Sequence, residues 1–252
     1  MEAIAEATFA IGGQPTVIYY PTMPNSGMEP YKPIAAAVSH ADVWIELTYA
    51  YIMHTPAFRA ALDYGCRYIC LTGMDVMMMV RTIANVDYDL VIKLGEVLQH
   101  KVMAADEVIV RSKAGTDLIG YNRGRKVRLS GRKATEKGYP VMLAGQISWC
   151  PIEETINGKL VFDGAMWPPL DLGKLSSNVE LTLKDGIVTS IEGGNDALKA
   201  KAWFEELNDP NMYRLAHYSL GFNPGVTAIT GRIVEDERVF GCIEFGVGSQ
   251  GM

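Results

Sequence analysis

The chain has 252 residues and a mass of 27.6 kDa, which suits one large or two small domains. Apolar residues make up 48% and charged residues 21%, a composition that excludes disorder. The net charge of -6 argues against nucleic acid as a partner, since phosphate binding calls for a basic face.

No apolar run approaches the ~20 residues of a membrane span. No basic segment followed by an apolar one opens the chain, so no secretory signal is read. The four cysteines, Cys66, Cys70, Cys150 and Cys242, do not form a disulfide framework. The expectation is a cytoplasmic protein with reduced thiols.

Residues 2–9 are rich in Ala and Glu and end at Gly12-Gly13, which predicts a helix. Residues 15–20, apolar, β-branched and aromatic, predict a buried strand. Helices are predicted over 30–39, 56–64 and 88–103, and strands over 41–47, 67–71 and 107–111. In the long helix Leu90, Val91, Leu94, Val97 and Leu98 recur at steps of three and four, which makes one apolar face. Strands alternating with helices imply a parallel sheet covered by helices. The first domain is placed at 1–107.

Gly, Pro and polar turns dominate 113–164. Residues 178–192 read as two alternating strands around Asp185-Gly186, a type I′ hairpin turn. A helix is predicted over 197–207, and strands over 232–234 and 239–245. The expected fold class is α/β, with an N-terminal parallel-sheet domain followed, over 108–252, by an α+β domain with antiparallel strands. The chain opens on a helix with no preceding strand and stops directly after a strand, so truncation in mid-fold is expected at both ends.

The histidines His40, His54, His100 and His217 show no metal-ligand spacing among themselves. Cys66 and Cys70 read as core cysteines. Gly246, Gly248 and Gly251 match G-x-G-x-x-G, but without a following helix they read as a glycine-rich turn. Gly115 and Gly120 have phosphate-loop spacing, with Tyr121 where the lysine belongs. The basic run from Arg111 to Lys133 reads as a solvated, salt-bridged surface, because it lacks the interleaved aromatics that base stacking needs. His217 precedes Gly221, Pro224 and Gly225, a tight, backbone-defined loop. Histidine there suits a metal ligand or an acid/base group, and equally a satisfied core residue.

The segments Val110 to Asp117, Gly158 to Asp163, Val179 to Gly194 and Asn208 to Pro224 resemble the 2,5-dihydroxypyridine 5,6-dioxygenases. These are iron-dependent ring-opening enzymes, related to aminopeptidase T and to proteins labelled leucyl aminopeptidase. The resemblance runs from about Gly12 to Gly248. It implies a small aromatic substrate, O₂, Fe(II) and a homo-oligomer. By resemblance, His217 is one ligand of a two-His, one-carboxylate iron site. Such a triad leaves open positions for substrate and O₂. His54 matches a histidine near the active site and is carried over as catalytic. Ser112, Lys113 and Asp117 are carried over as shaping the substrate pocket.

The departures bear on function. Gln146 stands where the aminopeptidases have a metal-binding glutamate, and His217 where they have a second one. Residues 140–143 are apolar where the dioxygenases have an acid/base histidine. The His-x-Asp segment that completes their iron site has no counterpart in the chain, so an incomplete site and negligible turnover are expected. A metallo-aminopeptidase using Co(II) or Zn(II) is the alternative, with Glu244 as a surrogate ligand and Glu153 and Glu154 nearby in sequence. A scaffold with a decayed centre is a third reading.

Overall fold

A computed structural model describes residues 1–169 and 172–248. The chain divides into two compact units, Met1–Asp75 with Arg132–Leu143, and Val76–Gly131 with Ala144–Met252. The boundary expected at residue 107 therefore falls inside the second unit. No described helix is long and apolar enough to cross a membrane.

The first unit begins with α1 (Glu2–Ala10), α2 (Lys32–Val38), β1 (Val43–Glu46), α3 (Pro56–Tyr64) and β2 (Arg67–Cys70). The start of α3 follows from its sequence. Thr55 Oγ1 accepts from Phe58 N at 3.2 Å, and Pro56 occupies the first turn, where no N–H partner is needed. Gly65 closes it at φ 99°. β1 and β2 pair in parallel, as the helix–strand alternation implies.

Ile34, Trp44, Phe58 and Tyr68 form the core of this unit, which also holds both Cys66 and Cys70. Buried Glu46 accepts from Ile52 N at 2.8 Å, from Thr48 Oγ1 at 2.6 Å and from the Tyr68 hydroxyl, so its oxygens are satisfied. Desolvation is the first cause that pushes the Tyr68 hydroxyl up from its ordinary value.

The strand expected over 15–20 is not formed. Residues 13–23 carry no regular element, and Val17 and Tyr19 are 41% and 67% exposed. A β-branched run makes a strand only beside a partner ladder, and β1 pairs with β2 alone.

The second unit starts with α4 (Val76–Met79), which runs into a π-helical turn over Val80–Ala84. Then come α5 (Tyr88–Ala104), β3 (Glu107–Arg111), β4 (Asp117–Tyr121) and β5 (Arg128–Ser130). Asp87 caps α5 by accepting from Leu90 N at 3.0 Å. Gly95 lets α5 sit close on its neighbours, since a Cβ there would fall 2.4 Å from Leu129 Cδ1. The chain next supplies β6 (Pro140–Met142), which joins β2 in parallel within the first unit.

It then continues in the second unit with β7 (Gln146–Trp149), β8 (Asn157–Phe162), β9 (Ala165–Met166), β10 (Gly173–Lys174), β11 (Val179–Lys184) and β12 (Ile187–Gly193). The unit ends with α6 (Asn195–Leu207), β13 (Leu215–Gly221), α7 (Ile233–Asp236) and β14 (Ile243–Val247). Its two larger sheets are antiparallel, in the orders β12-β11-β8-β4-β3 and β14-β13-β7-β5. The α/β class with a parallel sheet and antiparallel strands is as expected.

Three local expectations change. The strand over 107–111 forms, but pairs antiparallel with β4 rather than joining the parallel sheet. Residues 232–234 do not form a strand. The short α7 stands there, held by the Asp236 carboxylate, which accepts from Thr230 N at 2.7 Å and Gly231 N at 2.9 Å. The strand expected over 239–245 starts later, at Ile243. The hairpin at 185–186 forms as read, with Asp185 at φ 52° and Gly186 at φ 76°.

Ile147, Leu160, Leu181, Phe204 and Tyr218 lie at the centre of the second core. Burying each such side chain contributes roughly 1.5–3 kcal/mol. This core fills one face of the four-stranded sheet and leaves the other face to polar side chains.

Candidate functional site: the polar face of the four-stranded sheet

Strand register assigns the side chains of this sheet to its two faces. Ser219 on β13 lies opposite Glu244 on β14 and opposite Ser148 on β7, and Ser148 lies opposite Arg128 on β5. Residues opposed in an antiparallel pair share a face, and so do residues two apart on one strand. Arg128, Gln146, Ser148, His217, Ser219 and Glu244 therefore lie on one side. Ile147, Trp149, Tyr218 and Phe245 lie on the other, where the Tyr218 ring stands 4.8 Å from Phe245 and 5.7 Å from Trp149.

His217 sits within β13, not in a loop. Gly246 faces it across the ladder. A Cβ on Gly246 would come 3.0 Å from His217 Cβ, so the bare glycine leaves room for the imidazole. His217 Nε2 stands 3.8 Å from Glu244 Oε2, and Gln146 Nε2 donates to the same oxygen at 3.3 Å.

Burial, and then the charge of Arg128, push the His217 pKa below its ordinary value. Burial first, and then the Glu237 carboxylate, push that of Glu244 up to about 8. Near neutral pH the imidazole is uncharged and the carboxyl largely protonated. The 3.8 Å contact is thus a meeting of two mostly neutral groups rather than a charged pair. A neutral imidazole keeps the lone pair that a metal ion requires.

Glu244 also lines a cleft of about 530 Å³, within the size range of small-molecule pockets. Phe162, Trp167, Trp203 and Phe245 give this cleft aromatic walls, and Asp236 and Glu237 give it acidic ones. Trp167 Nε1 is buried without a hydrogen-bond partner.

The other expected site residues stand on other elements. Ser112 and Lys113 belong to the tight turn between β3 and β4, and Asp117 begins β4, in the five-stranded sheet; none of them lines the cleft. Ser112 Oγ accepts from Thr116 N at 3.3 Å, and Asp117 pairs with Arg111 at 3.0 Å, both side chains largely exposed. His54 belongs to the first unit, at φ 72°, with its ring 6.0 Å from that of Phe58. The basic run is salt-bridged as read, with Arg123 on Asp106 at 2.8 Å and Arg125 on Glu153 at 2.9 Å. Only part of the G-x-G-x-x-G pattern lies within the described residues.

Sequence reasoning missed Arg128 and Trp167. Arg128 belongs to the site through the pairing of β5 with β7, which no local pattern announces.

A two-His, one-carboxylate iron site needs three donors. His217 and Glu244 supply one imidazole and one carboxylate, and no group of three His, Cys, Asp or Glu suited to a metal occurs among the described residues. His217 and Glu244 alone do not complete such a donor set.

The two-unit fold is shared with solved structures. One is 2,5-dihydroxypyridine dioxygenase from Pseudomonas putida, with a TM-score of 0.71 and 21% identity, over 95% of this chain and 74% of that one. Another is wild-type AmpT from Thermus thermophilus, with a TM-score of 0.62 and 13% identity, over 97% of this chain and 76% of that one. The sequence profile of the 2,5-dihydroxypyridine 5,6-dioxygenase (NicX) family matches residues 16–241, and the chain belongs to that family. No curated protein matches it in sequence.

Proposed function

We propose that this chain binds a dihydroxypyridine-like N-heterocycle and serves in its oxidative ring opening, with His217 as a ligand of Fe(II). The observation that carries this reading is the pairing of an uncharged His217 with Glu244 beside an aromatic-walled cleft. Family membership supplies the substrate class.

Fe(II), when bound, offers open coordination positions for substrate and O₂. The chain's own residues do the rest. Gln146 orients the Glu244 carboxyl through its amide. Gly246 leaves the imidazole its space. Phe162, Trp167 and Phe245 offer apolar and aromatic surface to the ring and exclude water from it.

The test is a titration of the protein with 2,5-dihydroxypyridine, followed by tryptophan fluorescence, with and without Fe(II) under anaerobic conditions. Ring binding that tightens with Fe(II) in the wild type, and loses that dependence in His217→Ala, is the expected result. A ring that does not bind under either condition overturns the reading.

The contact of Glu244 with His217 also favours a second reading, a metallo-aminopeptidase. Hydrolysis of a leucine anilide that requires Co(II) or Zn(II), and is lost in Glu244→Ala, would establish it in place of the first.

A homo-oligomer and a cytoplasmic location belong to the same proposal. Among the described residues β14 and β1 are edge strands with one unpaired side each, and edges of this kind invite pairing. All four cysteines are free, as a reducing compartment keeps them. Light scattering at working concentration checks the first point.

A further inference from the structure

The aromatic cleft carries acidic side chains and no basic ones. Asp163, Asp236, Glu237 and Glu244 line it, and no Lys, Arg or His does. Three of these carboxyls are already engaged. Asp236 accepts from Thr230 N at 2.7 Å and Gly231 N at 2.9 Å, Glu237 from Arg238 Nη1 at 3.0 Å, and Glu244 from Gln146 Nε2 at 3.3 Å. Asp163 is exposed, and among the described residues it has neither an ion pair nor a hydrogen-bond partner.

Its position is set by the fold. Asp163 leaves β8 directly after Phe162, whose ring stands 6.3 Å from that of Phe245, and both rings line the cleft. Leu175 N donates to Gly164 O at 3.0 Å, which pins the backbone beside it. Its charge also reaches Cys242, another lining residue just before β14, where burial first and then Asp163 push the thiol up. An acceptor with unused capacity therefore stands next to the aromatic walls.

We propose that Asp163 reads the ring nitrogen: its carboxylate accepts the ring N–H of an N-heterocycle held among Phe162, Trp167 and Phe245, and so favours a nitrogen ring over a carbocycle of the same shape. This deepens the ring-binding reading above and rests on it.

The physical reason is the matching of donor to acceptor. Aromatic walls hold a ring by apolar contact, which a nitrogen ring and a benzene ring gain alike. Discrimination needs a polar group with an unused acceptor, and a bond from N–H to a carboxylate is roughly twice as strong as one between neutral groups. A 2-hydroxypyridine in its pyridone form presents such an N–H, and hydroquinone has none. An anionic substituent meets no cation in this lining and is disfavoured by like charge.

The experiment uses the metal-free protein under anaerobic conditions and three probes, 2,5-dihydroxypyridine, hydroquinone and 2,5-dihydroxybenzoate. The first two share their para oxygens and differ at the ring nitrogen, and the third adds an anion. Binding is followed by titration calorimetry in the wild type, Asp163→Asn and Asp163→Ala. The wild type should bind the pyridine at least ~10-fold more tightly than hydroquinone, equivalent to about 1.4 kcal/mol, and the benzoate most weakly. Asp163→Asn, which keeps an acceptor without the charge, should retain part of the preference. Asp163→Ala should lose it and gain affinity for the benzoate. Asp163 holds no described group in place, so both variants should melt with the wild type, and the nearly isosteric Asp163→Asn decides alone if Asp163→Ala melts lower.

Equal affinities for the pyridine and hydroquinone in the wild type overturn the proposal, as does a preference that is undiminished in either variant, or tightest binding of the benzoate. Rings that bind without any preference for nitrogen remove this inference and leave the ring-binding reading in place. No binding of any probe at millimolar concentration overturns both. A His217→Ala variant whose Fe(II) dependence is unchanged removes the metal part of that reading and leaves the Asp163 comparison untouched.

Discussion

His217 Nε2 and Glu244 Oε2 face each other at 3.8 Å across the β13–β14 ladder, and Gln146 donates to the same carboxyl oxygen. Burial moves the two groups in opposite directions, the imidazole down and the carboxyl up, so both tend to be neutral. The pair costs stability whenever Glu244 is forced to ionise.

The sign of that cost defines the first prediction. The folded-state pKa of Glu244, about 8, exceeds the ordinary 4.5. Between these values the folded protein holds more protons than the unfolded one, so stability is full below 4.5 and falls as the pH rises through 8. Glu244→Gln should melt higher than the wild type on the alkaline side of about 8 and level with it well below 4.5. Each kcal/mol relieved raises the melting temperature by roughly 2–4 °C. The gain stays below the full shift, because the side chain keeps 31% exposure. Calorimetry at the two pH extremes checks this, and a constant offset would contradict it.

Asp196 carries the opposite dependence. Its carboxylate accepts from Ser176 N at 2.6 Å, Ser176 Oγ at 2.8 Å and Ser177 N at 2.9 Å, and these bonds hold it below the usual carboxylate range. Its contribution is present above the ordinary carboxylate value and is lost as the pH falls through the folded value. Asp196→Asn should be less stable than the wild type near neutral pH, with the gap narrowing in acid. Urea denaturation across that range measures it.

Removing the imidazole of His217 should weaken metal uptake by ~10-fold or more, the usual scale for disturbing a metal site. Equilibrium dialysis with Co(II) as a spectroscopic probe compares the wild type with His217→Ala. Equal uptake would mean that His217 is not a ligand.

Arg81 and Glu235 define a structural prediction. Arg81 Nε and Nη2 donate to the two Glu235 oxygens at 2.7 and 3.0 Å, and Glu235 is 1% exposed. Arg81→Ala removes the guanidinium from a buried carboxylate and should cost about 3 kcal/mol. Replacing both partners by apolar residues should cost less than the single change. Chemical denaturation of the two variants decides this.

Gly225 leaves no room for any side chain, since a Cβ would fall 1.9 Å from Arg81 O in the π-helical turn. Gly225→Ala should destabilise by about 2–3 kcal/mol through overpacking. The midpoint of a denaturation curve reports it, and a neutral effect would mean that this loop yields freely.

Local chemistry was legible in the sequence wherever a short pattern decides the backbone. The helix read over 56–64 formed with those bounds, the structure showing Thr55, Pro56 and Gly65 at its ends, and Asp185-Gly186 marked the hairpin, because caps and turns depend on a few adjacent residues. The spacing of Val91, Leu94 and Leu98 marked α5 in the same way, whereas Leu90 and Val97, expected on the same apolar face, are 61% and 52% exposed. Family resemblance singled out His217 and Glu244, and noted the neutral Gln146, before their distances were known.

Pairing between distant segments was not legible. Residues 15–20 have strand composition without a strand partner, and β6 crosses to the first unit from within a turn-rich stretch. Both outcomes depend on which backbone ladder lies alongside, a non-local property. The same holds for the site. The sequence by itself determined that an imidazole, two serines, a glutamine, a glutamate and an arginine exist on separate segments. Only the register of β5, β7, β13 and β14 set them on one face, and only burial there shifted His217 and Glu244 toward neutrality. Side-chain direction alternates along a strand, so a slip of one residue would have turned every one of these groups into the apolar core.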